Sequence, residues 1–153
     1  MNYTNKKNRP SRNRVIVTNN DPSFKIKKKS ASQIALKALN SVRFSHIRVN
    51  LIFTTDSQIK RINRQFLNHN WPTDVLAFPL SQSFGEVIIS PKTAKAQAPL
   101  YQATFKEELA RYICHGILHL AGFKDKTEKE KNAMRHKEDR ILKHSRRFIQ
   151  RII

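Results

Sequence analysis

The stretch His115-Gly-Ile-Leu-His119-Leu-Ala-Gly122-Phe-Lys-Asp125 sets the reading of the whole chain. Two histidines four residues apart on a helix project from one face, one turn above the other. At that spacing both imidazoles can grip a single metal ion. Gly122 follows directly and can end the helix in a left-handed turn. The chain then swings back, which lets Asp125 reach the same ion from the loop. Two nitrogens and one carboxylate oxygen make a zinc site with its fourth position left for water. The competing reading is a buried amphipathic helix whose histidines are hydrogen-bonded core residues. The apolar flanks, the glycine and the closing acid favour the metal.

The residue after the first histidine narrows the chemistry. A zinc protease carries Glu there as general base. This chain has Gly116, and no acid stands between the histidines. Peptide hydrolysis of that type lacks its proton acceptor. The charge points to another substrate. Thirty Lys and Arg face eleven Asp and Glu, giving +19 over 153 residues. Such a field attracts polyanions, and nucleic acid is the leading partner.

Outward from the motif, Thr104-Phe-Lys-Glu107 is a capping box that opens the metal helix. Thr127-Glu-Lys-Glu130 is a second, opening a long terminal helix through roughly Lys143. Val15 to Val17, Ile47 to Thr54, Val75 to Phe78 and Val87 to Ile89 read as strands. A helix capped by Ser30 runs to about Leu39, and another from about Asp56 carries Ile59, Ile62 and Phe66 on one face. Pro91 starts a short helix that Pro99 ends. Strands and helices mix without strict βαβ alternation. The expectation is α+β: a single metal-hydrolase domain over 13–148, with a small mixed β-sheet of about four strands flanked by helices. Residues 1–12, with Lys6, Lys7, Arg9 and Arg12, read as a disordered basic tail, and 149–153 as a short C-terminal tail.

The histidine segment resembles the metal motif of the YbeY family of rRNA-maturation endoribonucleases. Pro72-Thr73-Asp74-Val75-Leu76-Ala77-Phe78 and Gly85-Glu86-Val87-Ile88-Ile89-Ser90 resemble two upstream segments of that family, in the same order and at fitting spacing. The chain's three glycines, Gly85, Gly116 and Gly122, all fall inside these motifs, so each serves a backbone need. Two positions depart from the pattern. The family's third metal ligand is usually His, and here it is Asp125, still a competent zinc ligand. The family usually has Arg where this chain has Leu67, which removes a cation able to hold a phosphate. Arg64, one helical turn back, is the candidate substitute.

The resemblance implies a metal-dependent, single-strand-specific endoribonuclease. It would act in rRNA maturation, at the 3′ end of 16S rRNA, and in ribosome quality control. His115, His119 and Asp125 would hold one zinc ion and carry catalysis. Arg64, His69 and Thr73 are candidate substrate-binding residues. The partners would be an rRNA precursor and the small ribosomal subunit. Two other readings stay open: a non-catalytic RNA- or ribosome-binding protein with a structural zinc, and a zinc hydrolase of a small molecule.

The remaining residues bound the setting. The single cysteine, Cys114, excludes an internal disulfide and suits a reducing compartment. It lies about 100° round the helix from His115 and reads as core packing. No apolar run approaches the roughly 18 residues of a membrane span. The N-terminus lacks the apolar stretch of a secretory signal. A cytoplasmic location without membrane partners is expected. Asp74 reads as a backbone cap, Trp71 as core, and His46, His136 and His144 as surface residues.

Overall fold

The computed structural model describes residues 12–68 and 73–153. Along the chain run β1 (Arg14–Asn19), α1 (Lys28–Ser41), β2 (Arg48–Phe53), α2 (Asp56–Leu67), β3 (Val75–Ser81) and β4 (Phe84–Ile89). Then come α3 (Pro91–Gln97), a 3-10 helix (Ala98–Tyr101), α4 (Phe105–Leu120), α5 (Glu128–Lys143) and α6 (Arg146–Gln150). The strands form one mixed sheet in the order β1-β2-β4-β3. The first three of these are parallel, and β3 pairs antiparallel with β4 at the edge. The expected α+β architecture, with a four-stranded sheet and flanking helices, is present.

Side chains alternate across the sheet. Val49, Leu51, Phe53, Val87 and Ile89 go to one face and pack into the main core with α1 and α4. Leu76 and Ile88 go to the other, where Ile59 of α2 covers them. In α4, Leu109, Ile113, Ile117 and Leu118 are fully buried. At roughly 1.5–3 kcal/mol for each buried side chain, these four outweigh the ~1 kcal/mol of a helix cap. Packing makes α4 a helix; the cap sets where it starts.

The structure departs from the sequence reading at several points. Ser30 is not the cap of α1. The helix begins two residues earlier behind Lys27, and the Ser30 hydroxyl donates instead to the Arg151 carbonyl at 3.3 Å. Phe66, expected on the buried face of α2, is 64% exposed and meets the Phe78 ring edge-on, with centroids 5.9 Å apart. β3 continues through Pro79 to Ser81, because an edge strand tolerates a missing N–H and the register shifts there. Pro99 lies within the 3-10 helix that prolongs α3. Residues 149–153 are not a tail: Ile149 and Ile152 are buried, and the Lys27 N–H donates to the Ile152 carbonyl at 2.8 Å. Their apolar side chains complete the core beside α1.

Gly116 sits where α4 crosses the sheet. A Cβ there would lie 2.3 Å from Val87 Cγ1 and 3.0 Å from Val75 Cγ1. Alanine raises helix propensity by up to about 1 kcal/mol, but overpacking a fixed core costs about 1–3 kcal/mol. At 2.3 Å the Val87 side chain must shift within a packed core or α4 must lift from the sheet, so the steric cost wins. Gly116→Ala is expected to lower stability by about 1–2 kcal/mol in urea unfolding, and Val87→Ala in the same chain to recover part of the loss. An unchanged midpoint for the single variant would mean that α4 lifts freely off the sheet.

Candidate metal centre

Both ends of the segment that carries the third candidate ligand are pinned. The α4 helix starts with a complete capping box: the Glu107 N–H donates to Thr104 Oγ1 at 3.2 Å and the Thr104 N–H to Glu107 Oε2 at 2.7 Å. It ends in a reversal. The Gly122 N–H donates to the His119 carbonyl and the Phe123 N–H to the Leu118 carbonyl, each at 3.0 Å. Gly122 adopts φ +94°, a value that only glycine takes at low cost. The capping box of α5 then holds the far side, with Glu130 Oε2 accepting from the Lys126 and Thr127 N–H groups at 2.9 and 3.1 Å. Asp125 stands between these anchors.

The three candidate ligands converge. His119 Nε2 lies 2.9 Å from His115 Nε2, and Asp125 Oδ2 lies 3.3 Å from each of them. Zinc bonds of about 2.0–2.2 Å at tetrahedral angles put ligand atoms about 3.3 Å apart, so the spacing and the donor set both fit such an ion.

Beneath the group lies a buried chain of charge. His115 Nδ1 is 2.7 Å from Glu138 Oε1, which makes Nδ1–H the donor and leaves the Nε2 lone pair facing His119 and Asp125. Glu138, on α5, is only 3% exposed. Its Oε2 accepts from Arg111 Nη1 at 2.9 Å, and Arg111 Nη2 donates to Asp139 Oδ1 at 2.7 Å. Burial pulls the His115 imidazole down, but the hydrogen bond and charge of Glu138, with Asp74 and Asp125, outweigh it and raise the pKa.

A cleft of about 510 Å³ opens beside His115 and Asp125. Asp74, Glu108, Asp125 and Glu138 line it against Arg111, Lys131 and Arg135. Four of the chain's eleven acids thus gather at one place in a +19 protein, an arrangement that favours a bound cation.

Of the substrate candidates, Thr73 lines the cleft and donates through Oγ1 to Asp74 Oδ1 at 3.1 Å. Asp74 also accepts from the Val75 N–H at 2.8 Å, the capping role read from its position. Arg64 is not brought to the cleft: it is exposed in the last turn of α2, which packs on the opposite sheet face from α4. Leu67 is 46% exposed. His69 and Trp71 lie outside the described residues. Cys114 is fully buried, and burial pushes its thiol pKa up, as suits a packing residue. Sequence reading missed Glu138 and Arg111. The signal was the spacing of Met134, Glu138 and Ile141, which puts Glu138 on the buried face of α5.

His115→Ala or His119→Ala is expected to remove most bound zinc, measured by metal analysis after dialysis, since two ligands hold zinc poorly. Asp125→Ala should weaken binding and Asp125→His should restore it. Glu138→Gln should weaken it about 10–100-fold, as loss of a ligand-orienting carboxylate does. Zinc and protons compete for His115, so occupancy should fall with falling pH. The sign is reversed for the metal-free fold. A His115 pKa raised above the unfolded value stabilises that fold below about pH 6.5, and the gain fades as pH rises through the folded pKa. Glu138→Gln should flatten this dependence; a profile unmoved by that substitution would discard the His115–Glu138 coupling.

The comparisons with known proteins agree with this geometry. The sequence model of the family described as Endoribonuclease YbeY matches residues 16–146. The Endoribonuclease YbeY of Persephonella marina is 33% identical over 148 residues, covering 91% of this chain and 97% of that protein. That of Cytophaga hutchinsonii is 42% identical over 104 residues, covering 65% of this chain and 73% of its own length. The solution structure of TM1509 from Thermotoga maritima superposes with a TM-score of 0.59 at 28% identity, covering 88% of this chain and 92% of that one. With a match that spans the sheet, the three convergent side chains and the cleft beside them, this chain belongs to the Endoribonuclease YbeY family.

Proposed function

We propose that this protein is a zinc-dependent, single-strand-specific endoribonuclease that acts in rRNA maturation, at the 3′ end of 16S rRNA, and in ribosome quality control. The observation that carries this reading is the convergence of His115, His119 and Asp125 at a cleft of a strongly cationic protein from an endoribonuclease family. In this reading the three side chains hold one zinc ion. When bound, it supplies a Lewis acid for the scissile phosphate and lowers the pKa of a water toward about 7.

The chain's own residues do the rest. Glu138 keeps the Nδ1 proton of His115 in place, so Nε2 stays a lone-pair donor. Arg111 neutralises Glu138 and stops that carboxylate from repelling the substrate. Lys131 and Arg135 on the cleft wall draw the phosphate backbone and stabilise negative charge that develops on it. Thr73 offers a hydroxyl at the same wall. Leu67 supplies no cation, so the cleft cations take over phosphate binding. The substrate would be an rRNA precursor on the small ribosomal subunit, in the cytoplasm. No helix among the described residues is long and apolar enough to cross a membrane.

Metal-loaded protein is expected to cut single-stranded RNA and to spare duplex RNA. Chelation or His119→Ala should abolish cleavage. Binding should weaken with salt by a slope of about 0.7 per phosphate neutralised, read by anisotropy across a salt series. Salt-sensitive binding with intact RNA at full zinc occupancy would convert the enzyme reading into that of an RNA-binding protein with a structural metal.

A further inference from the structure

Glu108 has no part in the metal centre, yet it lines the same cleft. It is 3% exposed, and its Oε2 is buried without a hydrogen-bond partner among the described residues. Arg111, three residues on, directs its two terminal nitrogens to Glu138 and Asp139 instead. A buried acceptor left unpaired is a cost that an N–H from a ligand would remove. A phosphate cannot do so, since it brings only oxygens and like charge.

Tyr101 lines this cleft too and is 53% exposed. The Arg135 guanidinium lies 5.4 Å from its ring centroid. An exposed aromatic ring flanked by a guanidinium is a stacking platform for an unpaired base. A carboxylate accepts from the exocyclic amino group of a base. The two features complement each other: one offers a flat face, the other an acceptor sunk beneath the cleft surface.

We propose that Tyr101, Arg135 and Glu108 form a nucleobase subsite beside the metal centre, which stacks one unpaired base of the RNA and accepts a hydrogen bond from its exocyclic amino group. The subsite rests on the endoribonuclease reading and adds a preference to it. Adenine, cytosine and guanine carry an exocyclic amino group. Uracil has none, and its one donor on that edge, N3–H, stands between two carbonyl oxygens that the Glu108 carboxylate repels. The subsite therefore favours amino-bearing bases over uracil.

The test uses the zinc-loaded full chain and four probes that contain no phosphodiester: AMP, CMP, UMP and ribose 5-phosphate, with affinities measured by calorimetry. AMP and CMP should bind about tenfold more tightly than UMP, and ribose 5-phosphate most weakly. Tyr101→Ala should weaken AMP and CMP by about five- to hundredfold, the range for loss of one stacked base, and leave ribose 5-phosphate unchanged. Glu108→Gln presents a donor as well as an acceptor and should bring the AMP and UMP affinities together. Zinc content should not change in either variant. Equal binding of AMP and ribose 5-phosphate, or nucleotide affinities unmoved by both substitutions, would overturn the subsite. Tyr101 is exposed, so its variant remains decisive if Glu108→Gln fails to fold. RNA cleavage by the wild-type protein is scored in parallel. Cleavage without base preference removes the subsite alone, whereas base-selective nucleotide binding without cleavage removes the nuclease reading alone.

Discussion

The close approach of α4 to the sheet, open only because Gly116 has no side chain, governs the rest of the structure. Residues on a helix follow one another at about 100°. Gly116 faces Val87 and Val75, while Cys114, Ile117 and Leu118 are buried as well because α1, α3 and α5 pack around the rest of α4. His115 and His119 are left half-buried along the border of the packed face, where they are both held and reachable. The two imidazoles are therefore placed by core packing and not by a flexible loop. Only Asp125 comes from a loop, and that loop is tied at one end by backbone hydrogen bonds and φ +94° at Gly122 and at the other by the Glu130 carboxylate, which accepts from the Lys126 and Thr127 N–H groups.

The costliest feature of the centre is the buried carboxylate of Glu138. Taking a charge out of water costs several kcal/mol per ion, and one well-placed partner barely offsets it. Glu138 has two, Arg111 on one oxygen and His115 on the other. Burying it therefore depends on the imidazole as well as on the guanidinium. This ties stability to the protonation of His115, and the direction is informative. Without an ion, burial lowers the His115 pKa, but Glu138, Asp74 and Asp125 outweigh it and raise the pKa above that of a free imidazole. A cation arriving between His115, His119 and Asp125 displaces that proton and leaves the Nδ1–Glu138 hydrogen bond in place.

Much of this was legible in the sequence, and for local reasons. The His-x-x-x-His spacing, the two capping boxes and the glycine reversal are short-range rules, and each appears where the residues put it. What was illegible depends on the third dimension. Ser30 is a good cap by type, but the C-terminal segment returns to it with a carbonyl acceptor. Phe66 has the right period for a buried face, yet at the end of α2 it stays 64% exposed, with Phe78 against its ring. Arg64 lies one helical turn before Leu67 and so looks like a substitute for the missing cation, while α2 lies across the sheet from α4. Glu138 stands among Arg, Lys and His on a helix that reads as solvated, and only the apolar Met134 and Ile141 on its stripe reveal where it points.

Charge acts at two ranges in this protein. Screening limits exposed charges to about 8 Å at physiological ionic strength. The +19 excess is thus a property of the outer surface, felt by a polyanion as it approaches. Inside the cleft the local groups decide, and there four carboxylates oppose three cations. Those carboxylates offset the pull that the cleft cations exert on a phosphate. On the proposed function, zinc would add positive charge at the point where the RNA must bend in. The basic surface would then gather RNA whether or not the centre is loaded, while the ion would favour entry into the cleft. On that reading binding and cleavage would be set by different groups of residues. The concentration of acids around His115 and His119 in a lysine-rich chain is what separates them.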